Sequence, residues 1–150
     1  MTVKITHFIA VVLSLLGSSA NIGAWTFTPS PICTVEHQTE LIELELTYNH
    51  ASGVYALKLT KPELTWDASR KFSMRFEGSK PIFISTTNHE FSSDMKSLIA
   101  SDSGFGNVID GLQFNTLAAA ITDNERIFIP LTGAEPKIDA FRNCAEAQRI

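Results

Sequence analysis

The chain is poor in cysteine, with only Cys33 and Cys144 among its 150 residues. It contains no CxxC pair, and two thiols so far apart in the sequence argue against a zinc site. In an oxidising compartment two cysteines predict one disulfide, Cys33–Cys144, which would join the start of the mature chain to its last segment. A pair of free thiols is the alternative.

Several motifs of common enzyme and cofactor sites are also missing. The chain has no GxSxG elbow of an α/β-hydrolase and no HExxH or HxH pattern of metal-ligating histidines. A GxxxxGK[ST] phosphate loop is absent, because Asn107 follows Gly106 and Leu112 follows Gly111 where a lysine is required. The dinucleotide fingerprint GxGxxG fails because Ile109 stands where its last glycine belongs. No cofactor and no metal are therefore expected.

The chain also lacks an apolar run of about 20 residues, the length that spans a bilayer. Its apolar segment 8-FIAVVLSLLG-17 follows Lys4 and precedes small and polar residues that end at Ala24. This order is typical of a secretory signal, so residues 1-24 are predicted to be a cleaved signal peptide. Cleavage after Ala20 and a retained N-terminal anchor are the alternatives. A periplasmic or secreted protein without stable membrane insertion is expected.

Positive charge is scarce, since 12 Lys and Arg residues face 16 Asp and Glu residues, for a formal net charge of −4. Such a balance provides no general attraction to nucleic acid or to an anionic membrane, so neither is an expected partner. The densest basic cluster is Arg70, Lys71, Arg75 and Lys80. Its spacing is typical of the solvated face of a strand.

Alternation of apolar and polar residues is the dominant pattern of the mature chain. It predicts strands, separated by turn signals, at 41-48, 54-60, 71-77, 82-87, 95-101 and 126-131. Closely spaced strands joined by short turns favour antiparallel pairing. The expected fold class is mainly β (α+β), an antiparallel sandwich or open barrel with two short C-terminal helices. Residues 25-150 are expected to form a single domain.

Helix formers are concentrated late in the chain. Residues 107-121 are rich in them, above all the run 118-AAA-120, and Gly111 is expected to divide this stretch into a turn and a short helix. A second helix is predicted over 136-148, where Pro136 suits the first turn.

The glycine run 101-SDSGFGNVIDGLQF-114 is the most distinctive stretch of the chain. We interpret it as a bend of the fold, in which Gly104 and Gly106 permit positive φ and Phe105 enters the core. Asn107 is expected to cap the turn that follows. The rim of this run is also where a functional site would be sought first.

Four polar residues are candidates for catalysis. His89 and Glu90 form a pair in a turn-rich loop, a common location for functional residues. Asp102 and Asp110 flank the glycine run and would converge if the loop folded back on itself. A small envelope hydrolase would bring these side chains within hydrogen-bond reach around one pocket. An ordinary polar loop is the competing interpretation of each.

Three segments together resemble a family of small secreted alphaproteobacterial proteins of unknown function: 25-WTFTPSPIC-33, 104-GFGNVIDGLQFN-115 and 127-IFIPLTGAEPKIDAFRNC-144. The resemblance covers essentially the whole mature chain. Members often carry the automatic label of an excinuclease ABC component. That label names a large cytosolic ATPase of DNA repair, which conflicts with a signal peptide and no phosphate loop. The ending is also similar, over a short stretch, to the invasion-associated locus B family of periplasmic proteins.

The resemblance implies an exported protein and provides no catalytic residues to transfer. The expected function is that of a non-enzymatic binding or structural protein of the cell envelope, with an envelope protein or a ligand as its partner. A small periplasmic hydrolase is the first alternative, and an accessory or inhibitor subunit of an envelope enzyme is the second.

Overall fold

A computed structural model describes residues 23–149 of the chain. The predicted signal peptide, residues 1-24, therefore lies almost wholly outside the described residues, as do its alternatives of cleavage after Ala20 and of a retained anchor. The described part contains ten strands and two helices: β1 (Trp25–Thr28), β2 (Cys33–Gln38), β3 (Glu43–Asn49), β4 (Val54–Thr60), β5 (Phe72–Gly78), β6 (Ile82–Thr86), β7 (Glu90–Phe91), β8 (Ser97–Asp102), α1 (Gly106–Phe114), β9 (Asn115–Ile121), β10 (Arg126–Pro130) and α2 (Glu135–Ala147).

The strands form two antiparallel sheets that do not close into a barrel. The first sheet has six strands in the order β1-β2-β3-β4-β8-β7, and the second has four in the order β10-β9-β5-β6. The inner faces of both sheets and the two helices share one hydrophobic core. The predicted fold class, mainly β and antiparallel with two helices, is confirmed.

Alternation fixes the register of the central strands. Leu44 lies opposite Leu59 and Leu46 lies opposite Leu57 across the β3–β4 pair, and all four side chains are buried. A slip of one residue would turn every one of these side chains to solvent, which strongly disfavours other registers.

The sequence patterns miss β2, which carries an ionisable residue on its buried face. Cys33, Val35 and His37 all point into the core. His37 is accommodated there because its ring stacks on Trp25 of β1, with ring centroids 4.1 Å apart. Burial lowers the pKa of His37, against the opposing effect of a contact with the Ala24 carbonyl. The neutral ring therefore behaves as one more flat apolar side chain.

The predicted helix over 118-AAA-120 is wrong, because these alanines belong to β9 in the middle of the second sheet. Ala118 lies opposite Phe76, and Ala120 lies opposite Met74. Both alanines are fully buried, and small side chains leave room for their large neighbours. Packing within the sheet has overridden the helix propensity of alanine.

The expected break at Gly111 is also wrong, because α1 runs through it to Phe114. A Cβ at Gly111 would lie 2.6 Å from Cγ and Cε2 of the Phe76 ring. Contacts under about 3 Å between carbon atoms are strongly repulsive, so only glycine allows α1 to sit this close to β5. The glycine that weakens the helix thus permits its tightest contact with the sheet.

The bend before α1 forms differently from expectation. Gly104 and Gly106 do not adopt positive φ, and no side chain caps the start of α1, so the predicted cap from Asn107 is wrong. Phe105 does enter the core, with 7 % of its surface exposed. Its ring stacks on Tyr55 at a centroid distance of 5.7 Å, which holds the end of β8 against β4.

The two helices lie at one end of the sheets. α1 packs against β5, β6 and β9, α2 packs against β1 and β2, and the helices contact each other. The predicted disulfide is confirmed, since Cys33 at the start of β2 is bonded to Cys144 of α2, with Cα atoms 6.0 Å apart. The last helix is therefore attached covalently to the first sheet.

A buried ion pair joins the sheets away from the helices. Lys61, just after β4, donates hydrogen bonds of 2.6 Å to both carboxylate oxygens of Glu125, in the β9–β10 turn. Its ammonium also donates to the Thr65 carbonyl at 3.1 Å and lies 4.5 Å from the centre of the Trp66 ring. Only 7 % of the Lys61 side chain is exposed, so this cation depends on its protein partners for solvation.

Candidate functional site

An open cleft of about 580 Å³ separates the two sheets at the point where the glycine run leaves β8. One wall is β6 of the second sheet, and the other is formed by β4 and β8 of the first sheet. Residues 104–108, between β8 and the first turn of α1, close one end. The glycine run, which the sequence marked as the place to search, therefore borders a cavity.

The cleft has an apolar floor and a polar rim. The floor comes from both sheets and from the start of α1, and consists of Leu57, Phe72, Met74, Ile84, Ala100, Phe105 and Val108. The rim consists of short uncharged side chains and one acid: Ser85, Thr86, Asn88, Ser101, Asp102 and Asn107. A concave apolar surface with a few polar groups around it is the usual composition of a ligand pocket.

The two glycines beside Phe105 keep the mouth of the cleft wide. A Cβ added at Gly104 or Gly106 would meet no heavy atom within 4 Å. Both positions thus face open space, and neither glycine is required by its backbone conformation. Phe105 forms part of the floor while its neighbours leave the rim free of side chains. The motif is better explained by access to the cleft than by a strained turn.

Asp102 is the one charged residue among the side chains that line the cleft. It is exposed at the end of β8, and its Oδ1 accepts a hydrogen bond of 2.7 Å from the backbone N–H of Ser103. No lysine, arginine or histidine joins it on the lining. The electrostatic character of the cleft is therefore neutral to weakly negative.

Asp110 faces away from the cleft and joins three elements. Its carboxylate accepts hydrogen bonds from Lys80, in the β5–β6 turn, at 2.5 Å and from Arg142 of α2 at 2.6 Å. Arg142 also donates to the Oε1 of Gln113. The hydrogen bond from Lys80, and then the contacts with Arg142, hold the pKa of Asp110 below its usual value. This arrangement fixes α1 to α2.

His89 and Glu90 lie in a separate shallow depression, together with Ser69, Lys71 and Asp123. His89 Nε2 donates to the Ser69 carbonyl at 2.7 Å. This leaves Nδ1 as the lone-pair nitrogen, and that atom is buried without a hydrogen-bond partner. Glu90 is exposed and pairs through its backbone with β8.

The imidazole of His89 is enclosed by aromatic rings. Its centroid lies 6.1 Å from that of Phe72 and 5.4 Å from that of Phe91. The ring therefore packs as a wedge between the start of β5 and β7, and its one strong contact fixes the loop at Ser69.

The four residues proposed from sequence thus lie in three places. Asp102 is on the rim of the cleft, Asp110 is in the helix-joining network, and His89 and Glu90 are in the separate depression. No hydrogen bond among residues 23–149 joins any two of their side chains. The sequence missed the floor of the cleft, because Leu57, Ile84 and Ala100 read as ordinary core positions of three separate strands.

Metal ligands do not cluster in the described part of the chain, where no group of three or more His, Cys, Asp or Glu side chains is close enough to hold an ion. Between Gly23 and Arg149, no helix combines the length and the apolar character needed to cross a bilayer. Comparison with models of known protein families, with curated proteins and with solved structures finds no match for this chain.

Proposed function

We propose that the protein is a non-catalytic binding protein of the cell envelope, and that the cleft between its two sheets is the binding site. The observation that carries this proposal is the cleft's composition, an apolar floor under an almost uncharged rim. Its volume of about 580 Å³ is within the range of about 300–1,000 Å³ that small-molecule pockets occupy.

The positions of the candidate catalytic residues favour binding over hydrolysis. General acid–base catalysis needs its proton-transferring groups within hydrogen-bond reach of one substrate. Asp110 is engaged by two cations, and the unprotonated nitrogen of His89 is buried. Asp102, the remaining acid at the cleft, has no base or nucleophile hydrogen-bonded to it except its neighbour Ser103.

Export is part of the same proposal. A disulfide persists in oxidising compartments such as the periplasm, which fits a protein that is secreted after removal of residues 1-24. Intact-mass analysis of exported protein should find Trp25 as the first residue and both cysteines oxidised. A mass that retains Met1 would contradict the cleavage, and a start at Asn21 would favour the cut after Ala20.

A fluorescent apolar dye tests the binding site directly. Titration of the mature protein with N-phenyl-1-naphthylamine should give saturable binding, because the dye is neutral and its rings suit the apolar floor. Ala100→Phe places a large ring in the cleft, so it should weaken dye binding at least tenfold. Ala56→Phe is the matched control, because Ala56 precedes Leu57 on β4 and points to the opposite face of the sheet.

The two variants separate a specific site from general stickiness. Undiminished binding by Ala100→Phe, or equal losses in both variants, would contradict the assignment of the cleft. Absence of saturable binding to the wild-type protein would do so as well. Unfolding curves of both variants should accompany the titration, so that any loss of dye binding is measured on folded protein.

A further inference from the structure

We propose that the natural occupant of the cleft is an extended polypeptide segment that pairs with β6 as an additional strand. This inference rests on the proposed function and names the chemical class of the ligand. It is carried by three features of the cleft: an open strand edge on one wall, a second open edge opposite, and a rim whose only charge is negative.

The first feature is the unpaired side of β6. β6 is the last strand of the second sheet and is paired with β5 alone. In such an edge strand, alternate residues direct their N–H and C=O groups away from the sheet, where they need a partner or water. A ligand that satisfies a row of main-chain donors and acceptors is best provided by another main chain, as in strand addition.

β6 differs from the other sheet edges in its lack of protection. Folded proteins usually protect edge strands with charges, proline or very short length. β10 begins at Arg126 and ends at Pro130, β7 has two residues, and the four residues of β1 are followed by Pro29. The five residues of β6, IFIST, include neither a charge nor a proline.

The second feature is the opposite wall. β7 pairs with only Leu98 and Ile99 of β8, so the following residues Ala100–Asp102 have no strand on that side. These same residues line the cleft across from β6. A five-residue strand is about 17 Å long, so an inserted segment of that length would run beside the whole of β6.

The side chains of the occupant follow from the strand period of two. One set would face the floor, where Ile84, Ala100 and Val108 offer an apolar surface. The other set would face outward beside Ser85 and Ser101 at the rim. The cleft therefore suits a segment in which apolar residues of moderate size alternate with small polar residues.

The third feature, charge, selects among possible occupants. Asp102 is the sole charged group of the lining, so a basic residue near the end of the segment would be favoured over an acidic one. Two-fold pairing of β6 with the β6 of a second copy would instead bring two such rims together with no lining cation between them. Charge complementarity thus favours a basic peptide over self-association.

Hydrogen exchange of the mature protein tests strand pairing. The probe is the acetylated and amidated peptide Lys-Val-Thr-Val-Thr-Val-Lys, and its control is the same sequence with methylated valine nitrogens. The unmodified peptide should slow amide exchange within residues 82–86 at least tenfold and displace N-phenyl-1-naphthylamine. The methylated peptide, which keeps the side chains and loses main-chain donors, should do neither.

Two matched variants locate the contact. Ile84→Lys puts a cation on the cleft side of β6 and should weaken peptide binding at least tenfold, whereas Phe83→Lys on the opposite face of the same strand should change it less than twofold. Asp102→Asn should weaken binding of the basic peptide by about fivefold at low salt, as expected for a solvent-exposed ion pair, and leave dye binding unchanged.

The outcomes distinguish this inference from the proposed function. If the dye binds in the cleft but the peptide neither protects residues 82–86 nor displaces the dye, strand addition is overturned and the binding site stands. If neither ligand binds, both proposals fail. If residues 82–86 become protected without peptide as the protein concentration rises, with dimers seen in sedimentation, a second copy occupies the edge and the peptide proposal is wrong.

Discussion

Replacing Gly111 with alanine should destabilise the protein, although the same change in most helices is stabilising. In a helix interior, glycine is less favourable than alanine by about 1 kcal/mol. At this position the added Cβ would lie 2.6 Å from Cγ and Cε2 of the Phe76 ring. The ring is 1 % exposed and fixed between α1 and the middle of the second sheet, so it has little freedom to move.

The net effect follows from these two opposing contributions. Insertion of a methyl group into a well-packed core costs about 1–3 kcal/mol, and the shortness of this contact places the cost near the upper end. After the helix-propensity gain of about 1 kcal/mol is subtracted, Gly111→Ala should lower the free energy of unfolding by about 2 kcal/mol.

Urea unfolding at equilibrium measures this change, with Gly106→Ala as the matched control. Gly106 is the first residue of α1 and its Cβ position faces open space, so the control should be neutral or slightly stabilising. In a Phe76→Leu background the ring is gone, and Gly111→Ala should become neutral or stabilising. The resulting coupling energy should be about 2 kcal/mol.

A stabilising effect of Gly111→Ala in the otherwise unaltered chain would refute this reasoning. Equal effects in the Phe76 and Leu backgrounds would refute it as well, because they would show that the ring is not the cause. Either result would mean that α1 does not approach β5 as closely as described.

Three further changes test the links between elements. Replacing both Cys33 and Cys144 with alanine opens a loop of 111 residues, which should lower the free energy of unfolding by up to about 4–5 kcal/mol, and a reductant should lower the melting temperature only of the wild type. Glu125→Gln removes the anionic partner of buried Lys61 and should cost about 3 kcal/mol in urea unfolding, near the lower end for buried pairs because 27 % of the Glu125 side chain is exposed. Because the pKa of Asp110 is held below 3.8 in the folded chain, its stabilising contribution is present at neutral pH and lost as the pH falls through that lowered pKa; Asp110→Asn should therefore flatten the acid end of the stability profile.

Much of the fold was predictable because local pattern and tertiary packing agree. Strands such as β3 and β4 alternate cleanly, and the structure uses that alternation to fill the core. The two cysteines left one intramolecular partner each, so their pairing followed from counting. α2 was predicted because an apolar side and an early proline agree with a helix on the sheet.

The errors arose where a residue's role depends on a distant neighbour. The alanines of β9 are read as helix formers unless Phe76 and Met74 are known to lie opposite them. Gly111 is read as a break unless the Phe76 ring is known to occupy its Cβ position. No sequence window contains those contacts, which join residues about 35 or more positions apart.

The cleft was only partly predictable for the same reason. The glycine run pointed to the correct place, since it does border the cavity, and Asp102 lies on the rim. Leu57, Ile84 and Ala100 carry no signal of their own, because an inward residue beside a cleft has the same pattern as one in a filled core. What exposes them is the separation of two sheet edges, a property of the assembled fold.

The central claim, that the cleft between the sheets is the binding site, is tested most directly by chemical-shift mapping of the mature protein with N-phenyl-1-naphthylamine. The account predicts that amide and methyl signals of Ile84, Ala100 and Val108 shift with a common saturable isotherm. The competing apolar surface is the outer face of the second sheet, where Phe83 and Phe128 are 57 % and 53 % exposed. Shifts confined to that outer face, with the cleft signals unmoved, would contradict the account.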